Sequence, residues 1–227
     1  MSEQGKGEPP LQWAIPDSRP LAYAITTPRL IVRCCEPSID AAPMHAAIAA
    51  SLDLLRRWIP WAGEEPMSVE KKAELLSGFR ANFLARRDGA YVLIGRADDS
   101  FLGGVGLHPR RGPGVLEIGY WLRSDRTGHG YMTEAVAAIT RVALEYYGVP
   151  RAEIRCDPRN APSAAVPRRL GYGLEETLRG EAVDAAAQAR DTMIWALTGT
   201  QYPASPAARV PIDVRDEHGL LWSQGVP

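Results

Sequence analysis

A glycine-containing segment in the second half of the chain has the residue types that bind a phosphate group through the backbone. Residues 126–130 read Arg-Thr-Gly-His-Gly, and a long apolar pattern with helical spacing follows them. Glycine lets the backbone turn tightly, so that several N–H groups point outward at the positive end of the following helix dipole. Such an arrangement binds phosphate from the main chain. The alternative is that Gly128 and Gly130 only form a turn.

Other chemistry that has a recognisable motif is not supported. No Gly-Lys-Ser or Gly-Lys-Thr follows the glycines at the spacing of a P-loop, and Gly103, Gly104 and Gly106 lie within a predicted strand. The three cysteines, two of them adjacent, form no Cys-x-x-Cys pair, and no cluster of His and Cys has metal-ligand spacing. We therefore expect no metal, and we expect reduced cysteines in a reducing compartment.

Composition excludes several further classes of protein. The chain has 227 residues, of which 45% are hydrophobic, so we expect a folded domain with an ample core. Its 26 Lys and Arg against 27 Asp and Glu argue against a general nucleic-acid binder, which needs a cationic excess. The first twenty residues contain no apolar run of a signal peptide, and Arg141 and Glu145 interrupt the most apolar helical stretch. We expect a cytoplasmic protein with no membrane or nucleic-acid partner.

The hydrophobic pattern predicts a mixed α/β domain around the glycine segment. The predicted strands are 30–35, 90–97, 101–108, 115–123, 152–156, 172–178 and 192–197, and the predicted helices are 39–50, 52–58, 68–87, 130–147 and 162–170. The three strands between 90 and 123 form an antiparallel meander. We expect a flexible N-terminal extension over 1–20, one domain over 21–199, and a C-terminal extension over 200–227 with a small hairpin at 210–222.

Several stretches, in order, resemble the GNAT superfamily of acyl-CoA-dependent N-acyltransferases, and most of all its Rim-type ribosomal-protein N-acetyltransferases. These stretches are Thr-Pro-Arg-Leu-Ile-Val-Arg at 27–33, Leu-Arg-Arg-Trp-Ile-Pro-Trp at 55–61, Glu-Ile-Gly-Tyr-Trp-Leu at 117–122, and the segments 128–135, 155–160 and 170–172. The resemblance runs from Thr27 to about Leu197. It implies the GNAT fold, an α/β (α+β) domain with a mixed, mostly antiparallel sheet of about seven strands. Flanking helices and a V-shaped splay at the acyl-CoA site complete that fold.

The resemblance implies acetyl-CoA as cosubstrate, held by the backbone of the glycine loop. The superfamily loop reads Arg/Gln-x-x-Gly-x-Gly/Ala, but here Thr127 replaces the Arg or Gln, and Met132 replaces the last small residue. Arg123, Arg126 or His129 could supply the missing positive charge. The candidate cofactor contacts are Trp121, Leu122, Arg123, Thr127, Gly128, His129, Gly130, Tyr131, Met132, Thr133 and Asn160.

The resemblance also suggests catalytic and acceptor residues. An amine must be neutral to attack a thioester, and Glu117 lies where many superfamily members carry the general base. Pro167 stands where many members carry a Tyr that serves as the acid, which excludes that route here. Asn160-x-x-Ser163 resembles the Rim-type pattern in which a serine is the acid, so the resemblance implies Ser163 as the candidate acid for the leaving thiolate. The alternatives are a solvated strand carboxylate and an ordinary polar residue in the first helical turn. Trp58 and Trp61 are the candidate acceptor contacts.

The implied function is that of an N-acetyltransferase that works by direct attack in a ternary complex. The acceptor is a primary amine, foremost a protein or peptide N-terminal α-amino group. Main-chain N–H groups beside Trp121 and Leu122 would polarise the thioester carbonyl. Two alternatives stay open: a small-molecule amine such as an antibiotic or amino-acid derivative as acceptor, and a CoA-binding or interaction module without catalysis. A homodimer is also open, since the tail hairpin could pack on its own sheet or on a sister subunit.

Overall fold

A computed structural model describes residues 19–183 and 188–222, so the N-terminal extension predicted over 1–20 lies almost entirely outside the described residues. The strands are β1 (Ala22–Thr26), β2 (Leu30–Cys34), β3 (Gly89–Gly95), β4 (Phe101–His108), β5 (Val115–Leu122), β6 (Arg151–Cys156), β7 (Gly173–Val183), β8 (Ala189–Thr198), β9 (Asp213–Asp216) and β10 (Leu221–Trp222). The α-helices are α1 (Pro37–Ala49), α2 (Leu52–Trp58), α3 (Val69–Leu84), α4 (Tyr131–Arg141) and α5 (Ala161–Leu170). Short 3-10 turns lie at Pro60–Glu64, Ser124–Arg126, Tyr202–Ala204 and Pro206–Arg209, and a π turn at Val142–Tyr146 extends α4.

All ten described strands form one sheet in the order β10-β9-β1-β2-β3-β4-β5-β6-β8-β7. Every neighbouring pair is antiparallel except β5 and β6, which run parallel. The predicted mixed, mostly antiparallel fold class is therefore confirmed. The expected number of about seven strands was too low, because β1 and the β9–β10 hairpin add to the edge of the sheet.

Helices cover both faces of the sheet, as the alternation of side chains along each strand requires. Leu93 and Ile118 face the core on the side of α4 and α5. Val92 faces the second core, which is formed with α1 and α3, and Trp121 packs against its edge. The central strands therefore present residues to both layers.

The strands β5 and β6 are paired over only a short part of their length. Their parallel ladder joins Val115–Glu117 to Arg151–Glu153, and it covers three residue pairs in the described chain. The N–H of Arg123 donates to the carbonyl of Leu102 on the neighbouring segment. Since main-chain groups alternate between the two edges of a strand, the N–H and carbonyl groups of Leu122 point the other way, toward β6. The sheet therefore opens into the V-shaped splay of the predicted fold.

The C-terminal segment continues the sheet at its other end. Residues of β9 pair with β1, with Val214 opposite Ile25, and β10 then folds back on β9. Trp222 packs edge-on against Tyr146 with 5.1 Å between ring centroids. The predicted domain boundary after residue 199 stays a prediction. In the structure, the described tail and the rest of the chain share one sheet.

Among the described residues, no helix is long and apolar enough to cross a membrane. Within residues 19–183 and 188–222, no three His, Cys, Asp or Glu side chains lie close enough together to hold a metal ion.

Candidate active site

Two cavities meet at the splay between β5 and β6. The first, which we call the donor cavity, has a volume of about 570 Å³ and lies beside the N-terminal ends of α4 and α5. The second, the acceptor cavity, has a volume of about 480 Å³ and lies between the sheet and the segment from α2 to α3. Both cavities are lined by Trp58, Ile59, Tyr120, Trp121, Arg155 and Arg190. The shared residues show that the two cavities are next to each other.

The loop before α4 forms the floor of the donor cavity. Gly128 and Gly130 have φ angles of 80° and 78°, a left-handed conformation that disfavours residues with a Cβ. Gly130 is the N-cap of α4 and leaves the first N–H groups of this helix without a side-chain cap. Thr127 shapes the loop, since its hydroxyl donates to the carbonyl of Ser124 at 2.8 Å. The loop thus has the geometry of a backbone phosphate cradle.

Arg29, which directly precedes β2, holds this loop in place. The Nε of Arg29 donates to Oε2 of Glu134 at 2.6 Å, and its Nη1 donates to the carbonyl of His129 at 2.9 Å. Its guanidinium lies 4.7 Å from the centroid of the Tyr131 ring. Thr27 donates to the same carboxylate at 2.6 Å. Arg29 therefore fixes the position of the loop, while the carboxylate of Glu134 neutralises its guanidinium.

The arginines proposed from sequence for this role have other partners. Arg123 makes a bidentate pair with Asp125, with distances of 3.0 and 2.8 Å. Arg126 pairs with Asp98 at 3.2 Å. Both guanidinium groups are neutralised within the loop region, and neither lines the donor cavity.

A proline in α5 leaves a backbone carbonyl free to accept a hydrogen bond from a tyrosine of β5. Pro167 has no N–H, so the carbonyl of Ser163, four residues earlier, has no helical partner. The hydroxyl of Tyr120 donates to this carbonyl at 3.0 Å and lies 3.2 Å from Oγ of Ser163. Burial raises the pKa of Tyr120 above its ordinary value, so its proton is firmly held. Asn160 caps the helix by accepting the N–H of Ser163 at 3.2 Å.

A cysteine lies next to this pair. Cys156, at the end of β6, lines the donor cavity and is buried. Burial raises the pKa of its thiol, which disfavours the reactive thiolate. The three described cysteines are free, and this one is the only one of them on the donor cavity wall.

Apolar and charged side chains both line the acceptor cavity. Its floor follows β4 and β5, where Gly104, Gly106 and Gly119 leave space. A Cβ at Gly104 would lie 2.7 Å from Nε1 of Trp121, so the indole lies directly over the strand. Trp61 packs edge-on against Trp121 with 6.1 Å between centroids. Aromatic rings thus form the wall toward the donor side.

Two pairs of ionisable side chains line the acceptor cavity. Nδ1 of His108 lies 2.5 Å from Oδ1 of Asp88. Lys72 forms an ion pair with Glu65, and both side chains are almost completely buried. The second carboxylate oxygen of Glu65 accepts the N–H of Met67 at 2.8 Å. None of these four ionisable residues was among the candidate site residues predicted from the sequence.

Glu117 lies beside the cavities rather than on their walls. Its Oε2 accepts Nε of Arg111 at 2.9 Å, its Oε1 lies 3.5 Å from Arg110, and Arg155 lies 4.0 Å away. Glu117 does not belong to the described residues that line either cavity. Its carboxylate therefore holds an arginine cluster at the rim.

The structure brings most of the sequence-predicted site residues together. Those on the donor cavity wall are Trp58, Trp121, Leu122, Thr127, Gly128, Gly130, Tyr131, Met132, Thr133, Asn160 and Ser163. Trp61 lines the acceptor cavity, whereas Arg123, His129 and Glu117 line neither. Arg29 and Tyr120 were missed as site residues, although both lie in the stretches that carry the family resemblance.

Comparison with protein families gives a match over more than half of the chain. Residues 29–173 match the family described as the Acetyltransferase (GNAT) domain. A Bacillus subtilis protein named "Putative ribosomal N-acetyltransferase YdaF" is 29% identical over 149 residues, which make up 65% of this chain and 79% of the relative. The predicted family is thereby confirmed.

Solved structures share the fold. RimL, a ribosomal L7/L12 alpha-N-protein acetyltransferase solved in complex with coenzyme A, superposes with a TM-score of 0.68 at 19% identity, covering 76% of this chain and 95% of its own. The ribosomal-protein-S5-alanine acetyltransferase from Vibrio fischeri gives a TM-score of 0.69 at 18% identity, covering 79% and 98%. At these identities the likeness shows the fold.

Proposed function

This chain belongs to the GNAT acetyltransferase family, and from this premise we propose that it is an acetyl-CoA-dependent N-acetyltransferase acting on a primary amine. The observation that carries the proposal is the meeting of two cavities at Tyr120 and Trp121, beside the open edge of β5. One cavity has a phosphate cradle for the donor, and the other has room for the acceptor. The reaction uses cytoplasmic acetyl-CoA, so we propose the cytoplasm as its place of action.

The donor cavity suits acetyl-CoA, which supplies an activated acetyl thioester. The N–H groups at the start of α4 would hold the diphosphate, with Arg29 keeping the loop in position. The main-chain N–H of Leu122 points into the splay, where it would polarise the thioester carbonyl. A preorganised donor of this kind stabilises the oxyanion that develops in the transition state.

Ser163 is the proposed acid for the sulfur. Its hydroxyl lies on the donor cavity wall and next to Tyr120, which keeps it in position. As the C–S bond breaks, the Ser163 hydroxyl would give its proton to the departing thiolate and recover one from solvent.

We propose a protein or peptide N-terminal α-amino group as the acceptor. The names of YdaF and of the two Rim-like structures support this choice. An α-amino group, with a pKa of ~8, is more readily neutral than a lysine at ~10.4. Trp58 and Trp61 would contact the acceptor, since both line the acceptor cavity.

Calorimetry and a thiol-release assay test the proposal on the full chain. We expect acetyl-CoA to bind with a Kd in the micromolar range, and peptides with N-terminal Ala or Ser to release CoA faster than small amines of the antibiotic or amino-acid type. No binding at millimolar acetyl-CoA would exclude the enzyme. Binding with faster transfer to the small amines would instead exclude the peptide acceptor.

A further inference from the structure

His108 and Asp88 form a polar pair on the wall of the acceptor cavity to which the reaction described above assigns no role. His108 is the last residue of β4, and Asp88 directly precedes β3. Oδ1 of Asp88 lies 2.5 Å from Nδ1 of the imidazole, and it also accepts the N–H of Gly89 at 3.0 Å. Because a carboxylate only accepts, the neutral imidazole carries its proton on Nδ1. The lone pair therefore lies on Nε2.

Two glycines make room for Nε2 within the cavity. A Cβ at Gly119 would lie 3.3 Å from Nε2 of His108, and a Cβ at Gly106 would collide with it. These glycines face each other in the β4–β5 ladder, so the imidazole lies flat over both strands. Gly119 is two residues before Trp121, which is about 7 Å along a strand. Nε2 thus lies on the acceptor side of the point where the cavities meet.

We propose that His108, oriented by Asp88, is the base that removes the proton from the acceptor amine. This inference rests on the proposed function. As the neutral amine attacks the thioester carbonyl, the C–N bond forms and Nε2 takes, directly or through one water, the proton that nitrogen must lose. The C–S bond breaks, and sulfur keeps its electron pair and receives a proton from Ser163. Asp88 stabilises the imidazolium that results.

The charges around His108 favour this role over the same role for Glu117. The charged side chains that face it or lie on the same cavity wall are Asp88, Glu117, Arg110, Lys72, Glu65, Glu64, Arg155 and Arg190. Glu117 is opposite His108 in the ladder, but its two oxygens are held by Arg111 and Arg110. Lys72 is paired with Glu65. Asp88 is thus the carboxylate that acts on the imidazole directly.

The first test replaces His108 by glutamine. With acetyl-CoA and a peptide carrying an N-terminal Ala as probes, we expect H108Q to lower kcat/KM by ~10²–10⁴-fold. The Kd of acetyl-CoA, measured by calorimetry, should stay within about twofold, because His108 does not line the donor cavity. H218Q makes the same chemical change on the exposed turn between β9 and β10 and serves as the control. It should retain the rate of the unmodified chain.

Two further measurements separate a base from a structural residue. D88N, which keeps the size of the side chain, should lower kcat/KM by at least about tenfold and leave the Kd of acetyl-CoA within about twofold, because the amide no longer fixes the proton on Nδ1 or stabilises the imidazolium. In H108A, added imidazole should restore part of the rate, since it can occupy the vacated space. A residue that only packs would give neither result.

The outcomes distinguish this inference from the proposed function. If the unmodified chain transfers the acetyl group and H108Q keeps its kcat/KM within about threefold, the role of His108 alone is overturned. The same holds if D88N leaves kcat/KM unchanged and imidazole does not rescue H108A. No transfer by the unmodified chain to any peptide or amine would overturn the proposed function and this role with it. If H108Q does not fold, as judged by its thermal unfolding curve, the rate of D88N and the imidazole rescue of H108A decide.

Discussion

Glu117 and His108 occupy opposite positions in the β4–β5 ladder, but the side chains that contact them differ. Arg111 and Arg110 hold the two oxygens of Glu117, so this carboxylate is already engaged by guanidinium groups. His108 has a single carboxylate partner, and its side chain lines the acceptor cavity. Residue type and strand position alone could not separate the two, because the arginines follow β4 in a turn whose side-chain directions the sequence does not reveal.

The first prediction is therefore that Glu117→Gln lowers kcat/KM by less than about tenfold, because the substitution only weakens the contacts that hold the arginine cluster. A general base would instead cost ~10²–10⁴-fold. Glu153→Gln is the matched control. Glu153 lies on β6 opposite Glu117 in the β5–β6 ladder, and it pairs with Arg151 and Arg155 in the same cluster. The measurement is the thiol-release rate against peptide concentration. If Glu117→Gln lowers kcat/KM about a hundredfold more than Glu153→Gln does, Glu117 and not His108 is the base.

At the scale of elements, the loop before α4 depends on a backbone that only glycine adopts readily. The second prediction compares Gly130→Ala with Gly112→Ala. Both positions have a left-handed φ, of 78° and 93°, so both variants should lose about 1 kcal/mol of folding free energy. Gly112 lies in the turn between β4 and β5, outside the described walls of both cavities. Gly130 lies on the donor cavity wall, where a Cβ would lie 3.4 Å from Nη2 of Arg29.

We expect calorimetry to show at least a tenfold weaker Kd for acetyl-CoA in Gly130→Ala, and a change within about twofold in Gly112→Ala. Thermal unfolding of both variants measures the shared conformational cost. Equal affinities in the two variants would mean that the loop binds no phosphate.

The helix α5 shows how one element compensates for another. Pro167 frees the Ser163 carbonyl, and Tyr120 on β5 satisfies it at 3.0 Å. The third prediction is a coupling between Tyr120→Phe and Pro167→Ala. Alone, Tyr120→Phe should cost ~1–3 kcal/mol, because a buried carbonyl loses its donor. In the Pro167→Ala background the new backbone N–H can bond to that carbonyl, so the cost should be about 1 kcal/mol smaller.

Chemical denaturation of the four proteins of this double-mutant cycle measures the coupling, and the cycle cancels the packing change that either single substitution introduces. Additive free energies would show that Tyr120 does not depend on the proline.

At the scale of the whole molecule, the sequence predicts features of contiguous segments, but it does not reveal contacts between residues that are far apart in the chain. The predicted strand 101–108 coincides with β4, and the predicted family and fold class are confirmed, because hydrophobic periodicity and ordered motifs are properties of contiguous segments. In contrast, β1 was missed, because it is a short strand of five residues and one of its partners, β9, lies near the other end of the chain. Arg29 and Glu134 meet across 105 positions, and no local pattern marks such a pair.

The last prediction concerns the tail, which lies outside the residues that match the family. In the structure its strand β9 covers the edge of β1, Tyr202 donates to Glu145 at 3.0 Å, and Val214 is completely buried. Val214→Ala should therefore cost ~1.5–3 kcal/mol, which in a domain of this size lowers Tm by about 4–10 °C.

Val183→Ala removes the same two methyl groups at an exposed position of β7 and should leave Tm almost unchanged. A deletion from Thr200 onward should go further, since it uncovers the β1 edge and the apolar surface beneath it, and size-exclusion chromatography should then show aggregated protein. A deletion variant that stays monodisperse with the Tm of the full chain would show that the catalytic fold is stable without its C-terminal strands. We expect the reverse, because the tail completes the same sheet that opens between β5 and β6 at the candidate active site.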